Sequence, residues 1–304
     1  MAASIGLMVP AYGQNYTGHQ IALDPAQQGQ LATYPNYPYD PDMDPNRSHA
    51  AASVNYDNSE QRAKDLATAS GLDLGLQISD YQYEEPSLNV KLTGPKFGIN
   101  ALLTGKFSQN WFVTADLRGA FGYSDYSGSG TQNDNFEDLW DIRGLIGHDF
   151  FLSTFSLSPY LGIGFRDLYS DDRGVTSTGA HGYRRENQLF YVPIGIEPRF
   201  RVMQGARIAT DIEFDPVIEG TQSSTLSDAN VGFPNISNTQ KFGYGIRGDI
   251  MWEANRWSAG PFFNYWSIQQ SNTTCATGPT YGLCGYEPTN HTFEVGAQFR
   301  YHFF

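Results

Sequence analysis

Acidic residues and two histidines occur where connections between apolar segments are expected, and such residues can activate a water molecule for hydrolysis. A carboxylate beside an imidazole is the pairing that can take up the proton. The candidates are Asp125, Asp134, Asp138, Asp171, Asp172, His181 and His291. Asp171, Asp172 and His181 share one connection, but two acids and a histidine in one loop are common by chance. The residues therefore do not favour an enzyme.

A second set of charged residues lies in the middle of the apolar segments, all on the polar parity of the alternation. Inside a narrow closed sheet such charges must pair, because an unpaired buried charge costs several kcal/mol, on the order of 3–5. Acids and bases nearly balance in number, so the set indicates no ion selectivity. We expect a charge network that fills the lumen, with a pathway for small solutes as the alternative. Its members are Asp116, Arg118, Asp141, Arg143, Arg166, Glu197, Arg199, Asp211, Glu213, Arg247, Asp249, Glu294 and Arg300.

The chain has two cysteines, Cys275 and Cys284, and both lie in the last long connection. In an exported protein this arrangement favours a disulfide over two independent thiols. No further cysteine and no close histidine cluster accompanies them, so we expect neither a metal site nor a cofactor.

The composition restricts the class of protein that these residues belong to. The 304 residues carry a net charge of −13 with only 17% charged residues, which argues against nucleic-acid binding. No run of about eighteen apolar residues occurs, which excludes a helical membrane span. Glycine and tyrosine are abundant, at 32 and 19 residues. Residues that fill amphipathic helices are scarce, and the sequence indicates an all-β chain.

From Leu72 onward, apolar and polar residues alternate with the period of a β-strand. For example, Phe242, Tyr244 and Ile246 alternate with residues that include Arg247 and Asp249. Ten segments show the pattern: about 72–83, 93–107, 111–125, 137–151, 155–170, 185–202, 206–219, 240–253, 257–270 and 290–303.

Three properties separate a membrane barrel from a soluble sandwich or lipocalin-like barrel. The segments are longer than ordinary soluble strands, they carry charge at mid-strand, and their connections alternate between short and long. We predict an antiparallel, up-and-down transmembrane β-barrel over 72–304, with ten strands and with eight or twelve as alternatives. Aromatic residues should gather at both water interfaces, Tyr81 among those at the long-loop end. His148, on the lipid-facing parity near a short turn, should also lie at an interface.

The first seventy-one residues lack this alternation. Residues 1–13 end in small residues after an apolar stretch, which suggests the back half of a secretory signal peptide. Residues 14–71 are rich in Pro, Tyr and Asn, and prolines at 35, 38, 41 and 45 forbid a helix or a strand ladder there. We expect an irregular tail, linker or plug.

The final segment, Phe293 to Phe304, resembles the C-terminal strand of bacterial outer-membrane β-barrel proteins. In that family the strand alternates apolar residues and ends in an aromatic residue that serves as an assembly signal. Here the aromatic residues are Phe299, Tyr301, Phe303 and Phe304, although the apolar frame ends on Phe303. The resemblance implies the outer membrane of a Gram-negative bacterium, with lipopolysaccharide, membrane lipid and the barrel-assembly machinery as partners.

The chain is also similar to the omptin proteases in expected strand number and length, but no omptin motif can be matched residue by residue. We therefore expect a structural or surface-interaction role through the long extracellular loops, with an unknown ligand. A narrow porin-like channel is the first alternative, and an omptin-like or lipid-modifying enzyme at the rim is the second.

Overall fold

The computed structural model describes residues 65–152 and 154–304. The predicted signal segment 1–13, and the predicted irregular segment up to residue 64, lie outside these residues. The strands are β1 Gly71–Glu85, β2 Val90–Lys106, β3 Trp111–Gly128, β4 Gly130–His148, β5 Phe150–Phe151, β6 Phe155–Asp171, β7 Arg184–Tyr191, β8 Ile194–Met203, β9 Ala206–Thr225, β10 Ile236–Gln240, β11 Gly243–Ala254, β12 Trp257–Ile268, β13 Thr274–Thr277, β14 Gly282–Gly285 and β15 Asn290–His302.

The main sheet closes on itself as an antiparallel barrel. Closure is visible at Gln77 of β1, which lies opposite Gly98 of β2 on one side and Gln298 of β15 on the other. The remaining neighbours follow chain order, and β7 and β8 together form one wall position between β6 and β9. The barrel therefore has ten strand positions, and the prediction of ten strands is confirmed.

Several predicted boundaries were wrong. The segment 185–202 is not one strand, because it is interrupted between β7 and β8 at Pro193, which has no N–H to donate to the ladder. The expected long loop at 126–136 is mostly hairpin, since β3 and β4 remain paired out to Gly128 and Gly130. The expected loop 84–92 shortens to a 3-10 turn at Pro86–Leu88, and a second such turn covers Leu226–Asp228.

The outer wall of the barrel is apolar, and the inner wall is polar. Leu76 and Ile163 point outward with 66% and 73% of their surface exposed. Charged side chains such as Asp141 and Glu213 are buried inside. The distribution of apolar and polar side chains is the reverse of that in a soluble protein. A closed sheet surrounded by lipid requires it, because lipid favours apolar side chains and offers the backbone no hydrogen bonds.

Aromatic residues flank the apolar wall, but Tyr81, which was predicted to be one of them, is not. Trp111, His148 and Phe150 are in contact at the short-turn end, with ring centroids 4.9 and 4.4 Å from the histidine. Tyr81 instead lies inside the lumen at 2% exposure, because the odd-numbered residues of this part of β1 face inward. Among the described residues, no helix has the length and apolar character to cross a membrane.

Candidate functional site

A water-accessible cavity of about 660 Å³ opens at the long-loop end of the barrel, and we call it the vestibule. Its wall mixes apolar and aromatic side chains, such as Leu88, Tyr126 and Tyr286, with polar side chains that include Gln132 and His181. The wall is built from the ends of β1 to β4, the loop 172–183, the turn after β9 and the loop that carries β13 and β14. A cavity of this size can hold a small organic ligand or a short peptide segment.

The floor of the vestibule is a buried charge cluster around Arg185, the second residue of β7. Its Nη2 lies 2.6 Å from Glu85 Oε1 and also donates to Glu287 Oε1. The hydroxyl of Tyr83 lies within hydrogen-bond distance of both carboxylates, at 2.8 and 3.0 Å, and can donate its one proton to either of them. The guanidinium lies over the tyrosine ring. Two acids therefore share one arginine at the floor of the vestibule.

Asp172 and His181 line the same cavity from the loop 172–183. Burial raises the pKa of Asp172 to about 6, and the hydrogen bond from the Ser170 hydroxyl, at 2.7 Å, together with the charge of Arg185, offsets this effect only in part. An acid with this pKa can accept or release a proton near neutrality, as general acid–base chemistry requires. The vestibule thus brings together two of the seven rim candidates that the sequence indicated.

The other rim candidates do not face the vestibule. Asp138 shares the outward parity of Trp140, and Asp171 forms an ion pair with the exposed Arg173 at 2.6 Å. His291 also faces outward, where Tyr265 stacks on it at 6.0 Å between ring centroids. The last two candidates, Asp125 and Asp134, are exposed near the hairpin that joins β3 and β4.

Below the vestibule, apolar and aromatic side chains are buried in the lumen in two clusters. One buried cluster consists of Tyr81, Tyr83, Leu92, Leu139 and Leu168. A second consists of Leu189, Tyr191, Trp266 and Ile268. Between strands, glycine makes room for these rings: a Cβ on Gly164 would overlap the ring of Tyr191.

An ion pair that the sequence analysis missed lies within this layer. Lys96 Nζ is 2.7 Å from Glu137 Oε2, and both side chains are at least 97% buried. Ser124 hydrogen-bonds both partners, and the ammonium also lies 4.8 Å from the centre of the Tyr81 ring. The pair is fully desolvated, so its attraction is only weakly screened.

Farther toward the short turns, Arg143 connects three carboxylates. It donates to Asp116, its Nη1 lies 2.6 Å from Glu213 Oε1, and its Nε is 4.0 Å from Asp141 Oδ1. Arg143 and Asp116 are directly opposite each other on β4 and β3. The pairing is thus determined by strand register as well as by charge.

Arg247 completes this cluster from β11. It lies 3.1 Å from Asp141, 3.0 Å from Glu213 and 2.9 Å from Asp215. Its guanidinium also packs over the Tyr191 ring, and Nη2 donates a hydrogen bond to the Tyr191 hydroxyl at 2.9 Å. The two arginines and their carboxylates cross the lumen and connect strands that are not neighbours in the wall.

The other predicted network members lie on the inner wall in smaller groups. Arg118 donates to Glu294, and Arg199 lies 2.8 Å from Glu197. Arg300 is 3.8 Å from Asp249.

Two members of the predicted set have partners other than an ion pair. Asp211 accepts a hydrogen bond from Tyr160 at 2.7 Å, and Arg166 lies over the Trp266 ring and reaches Thr292 at 3.4 Å. Asp211 and Arg166 thus extend the polar filling of the lumen beyond the ion pairs.

The remaining space in this part of the lumen is small. Cavities beside Arg185 and Asn187, beside Arg166, and beside Asp249 measure about 20, 10 and 50 Å³. One water needs roughly 10–15 Å³ on this measure, so these spaces hold from one to a few waters. At these three places, side chains occupy most of the lumen below the vestibule.

Sequence reasoning missed the vestibule floor and the Lys96–Glu137 pair. The signal was available: Glu85, Lys96, Glu137 and Arg185 all share the inward parity of their strands. Glu287 gave no such signal, because it lies in an irregular connection whose side-chain directions have no period.

The two remaining groups of predicted residues lie at opposite ends of the barrel. Cys275 and Cys284 form a disulfide across the hairpin of β13 and β14, where they are directly paired. At the other end Phe299 and Tyr301 face outward in β15, and Phe303 and Phe304 follow the end of that strand. In the described part of the chain, no group of three or more His, Cys, Asp or Glu side chains could hold a metal ion.

The closed sheet, its apolar exterior and its polar lumen define the protein as a transmembrane β-barrel of the bacterial outer-membrane type, and we place it in that membrane. The outer membrane protease OmpT of Escherichia coli shares this fold, with a TM-score of 0.54 and 11% identity over 78% of this chain and 99% of OmpT.

Two further solved barrels overlap less well. They are the translocator domain of the autotransporter NalP of Neisseria meningitidis and the attachment invasion locus protein Ail of Yersinia pestis. Their TM-scores are 0.36 and 0.28, at 12% and 10% identity. The NalP match covers 85% of this chain and 98% of that domain, and the Ail match covers 77% and 100%. These TM-scores add nothing to the fold assignment. No protein-family model and no curated protein sequence matches the chain.

Proposed function

We propose that the protein is a sealed outer-membrane barrel that acts at the cell surface through its vestibule and long loops. The observation that carries the proposal is the contrast between a cavity of about 660 Å³ at the mouth and the three cavities of about 20, 10 and 50 Å³ described below it. A solute that enters the vestibule meets the Arg185 cluster and then buried apolar and ionic side chains. This arrangement supports a binding or structural role over the narrow channel considered as an alternative.

A liposome-swelling assay tests this proposal. The purified barrel is reconstituted, and the vesicles are diluted into isotonic solutions of arabinose, glucose or glycine, with a general porin as the positive control. We expect no swelling above that of empty liposomes. Swelling that depends on solute size would contradict the proposal and would favour the channel.

The second candidate is a hydrolase at the rim, and the position of Asp172 and His181 in one cavity favours it. The OmpT likeness concerns the fold alone and does not transfer protease activity. In support, the raised pKa of Asp172 suits a proton-transfer role, and Glu85 and Glu287 supply further carboxylates nearby.

Fluorogenic peptide and phospholipid substrates, offered to the reconstituted barrel, test the enzymatic candidate. Asp172→Asn and His181→Ala should each abolish any turnover that the wild type shows. Asp171→Asn is the matched control, because Asp171 is adjacent in sequence but faces away from the vestibule, paired with Arg173. Absence of turnover in the wild type, or equal loss in the control, would contradict this candidate.

A further inference from the structure

The residues that immediately precede β1 lie in the mouth of the barrel at the short-turn end, opposite the vestibule. Leu66 and Thr68 are buried to 3% and 8% exposure, although they belong to no strand. Burial of a segment outside the wall requires specific contacts, because each ordered residue costs about 1–2 kcal/mol of backbone entropy.

One set of contacts comes from Asp149, the single residue between β4 and β5, which is fully buried. Its carboxylate accepts the backbone N–H of Thr68 at 3.0 Å and the Thr68 hydroxyl at 2.6 Å. Ser158 donates to the same carboxylate at 2.7 Å, and Lys106 and Arg199 lie 3.3 and 3.5 Å away. Three side chains of the barrel wall therefore contact the acid in addition to the segment.

A second set of contacts serves the carbonyl groups of the segment. Asp65 and Leu66 have helical conformation, and the last carbonyls of a helix have no partner within it. Arg207 Nη1 donates to the carbonyls of Asp65 and Ala67 at 2.9 and 2.7 Å, and Ser156 Oγ donates to that of Leu66 at 2.8 Å. A cation at a helix C-terminus also has a favourable interaction with the helix dipole.

We propose that the short-turn mouth is a peptide-binding site and that its occupant is the chain's own segment 65–68. The site fits a turn of chain that carries a leucine and, two residues later, a threonine or serine. Arg207 and Ser156 bind the backbone of this turn, whereas Asp149 binds the residue at position 68. The bound segment closes the barrel at the end opposite the vestibule. This inference goes beyond the proposed surface role and does not depend on it.

Hydrogen exchange followed by mass spectrometry on the full-length, reconstituted chain tests the proposal at residues 65–70. We expect slow exchange in the wild type. Asp149→Asn should accelerate exchange in this segment by about 10-fold or more, since hydrogen bonds to a charged group are lost. Leu66→Asp should do the same by placing a charge in the buried pocket, and it leaves every wall residue unchanged.

Asp228→Asn is the control, because Asp228 also accepts hydrogen bonds from a partner, Arg184, but at the opposite end of the barrel. It should leave exchange at residues 65–70 unchanged. If Asp149→Asn perturbs the wall itself, amides of β4 and β6 will also accelerate, and Leu66→Asp then decides the question. Exchange in the wild-type segment at the rate of an unstructured peptide would overturn the proposal. Unchanged exchange in Leu66→Asp would overturn it as well.

Discussion

The vestibule and the lumen below it belong to the same barrel. The vestibule is a large open cavity, whereas the cavities described in the lumen hold from one to a few waters. In the lumen, long side chains from opposite strands reach each other: Arg143 of β4 and Arg247 of β11 both contact Glu213 of β9. In the vestibule, strand ends and loops form the wall, and a cavity of about 660 Å³ remains between them. A ten-stranded barrel is thus narrow enough for long side chains from opposite strands to meet inside it.

The comparison also shows how the environment alters the effect of a charge. Lumen charges are removed from water and must be matched by partners at short distance, since attraction and desolvation are both large there. At the rim, Asp171 and Arg173 form a pair of similar geometry in water, where such pairs contribute little. Removal of one partner of an ion pair should therefore lower the free energy of unfolding much more in the lumen than at the rim.

The largest effect should follow from removal of Arg247. Arg247 lies within 3.1 Å of Asp141, Glu213 and Asp215, and Arg247→Met removes this contact from all three carboxylates. Breaking a buried pair on one side costs about 3–5 kcal/mol. Urea unfolding of the reconstituted barrel should show a loss of this size. Arg173→Met is the matched control and should leave the unfolding free energy nearly unchanged. Equal effects of the two variants would remove the distinction between lumen and rim.

The buried pair of Lys96 and Glu137 sharpens this distinction. Lys96→Met alone should destabilise the barrel by about 3–5 kcal/mol, because it leaves a buried carboxylate uncompensated. The double variant Lys96→Met with Glu137→Leu should recover most of that loss, since well-packed apolar residues can replace a buried ion pair. A double variant that is as unstable as the sum of its single variants would contradict this account of desolvation.

Loss of the disulfide should loosen the vestibule and not the lumen. Cys275→Ser with Cys284→Ser opens a ring closed over nine residues of separation. Such a ring stabilises by about 2–3 kcal/mol in the chain-entropy model. Hydrogen exchange should accelerate in β13 and β14, whereas strands below the vestibule should keep their protection. Accelerated exchange in β11 or β12 would show that the two regions are coupled.

The smallest effect should be the pH dependence that Asp172 contributes. Because burial raises its pKa from 3.8 to about 6, the folded barrel holds a proton that the unfolded chain releases in this interval. This contribution to stability is present at low pH and is lost as the pH rises toward 6. Asp172→Asn should therefore be more stable than the wild type at pH 7, with a smaller difference at pH 4, as measured by unfolding midpoints.

Asp228→Asn is the control for this measurement. Hydrogen bonds from Arg184 lower the pKa of Asp228, so its contribution has the opposite sign and is lost only below pH 3.8. The variant should leave the slope between pH 4 and 6 unchanged. An unchanged slope in Asp172→Asn would show that this carboxyl does not titrate in the vestibule as described.

Alternation predicted the wall well, because each inward or outward residue is determined by a period of two that lipid and lumen enforce together. Arg143 and Asp116 could be assigned to the lumen on this basis alone. Which charges pair across the barrel could not be predicted. Arg247 meets Asp141 across 106 positions of sequence, and this contact depends on strand order and tilt.

The vestibule was less predictable for a related reason. Glu287 lies in an irregular connection and closes the floor only because loop and strand ends converge on Arg185. Asp171 is the last residue of β6 and pairs with the exposed Arg173, whereas Asp172, the next residue, lines the vestibule. The alternation of side-chain directions stops where the strands end, and much of the vestibule is built from residues beyond that point.

The most direct test of the sealed lumen is single-channel conductance in a planar bilayer. The wild type, reconstituted in 1 M KCl, should give no resolvable current steps at either polarity. Arg185→Ala, which enlarges the vestibule floor, should also remain closed, because the apolar clusters and the Arg143–Arg247 layer lie below it. Reproducible unitary steps in the wild type, with a size or selectivity altered by Arg143→Gln, would show that ions pass through the lumen and would contradict the account.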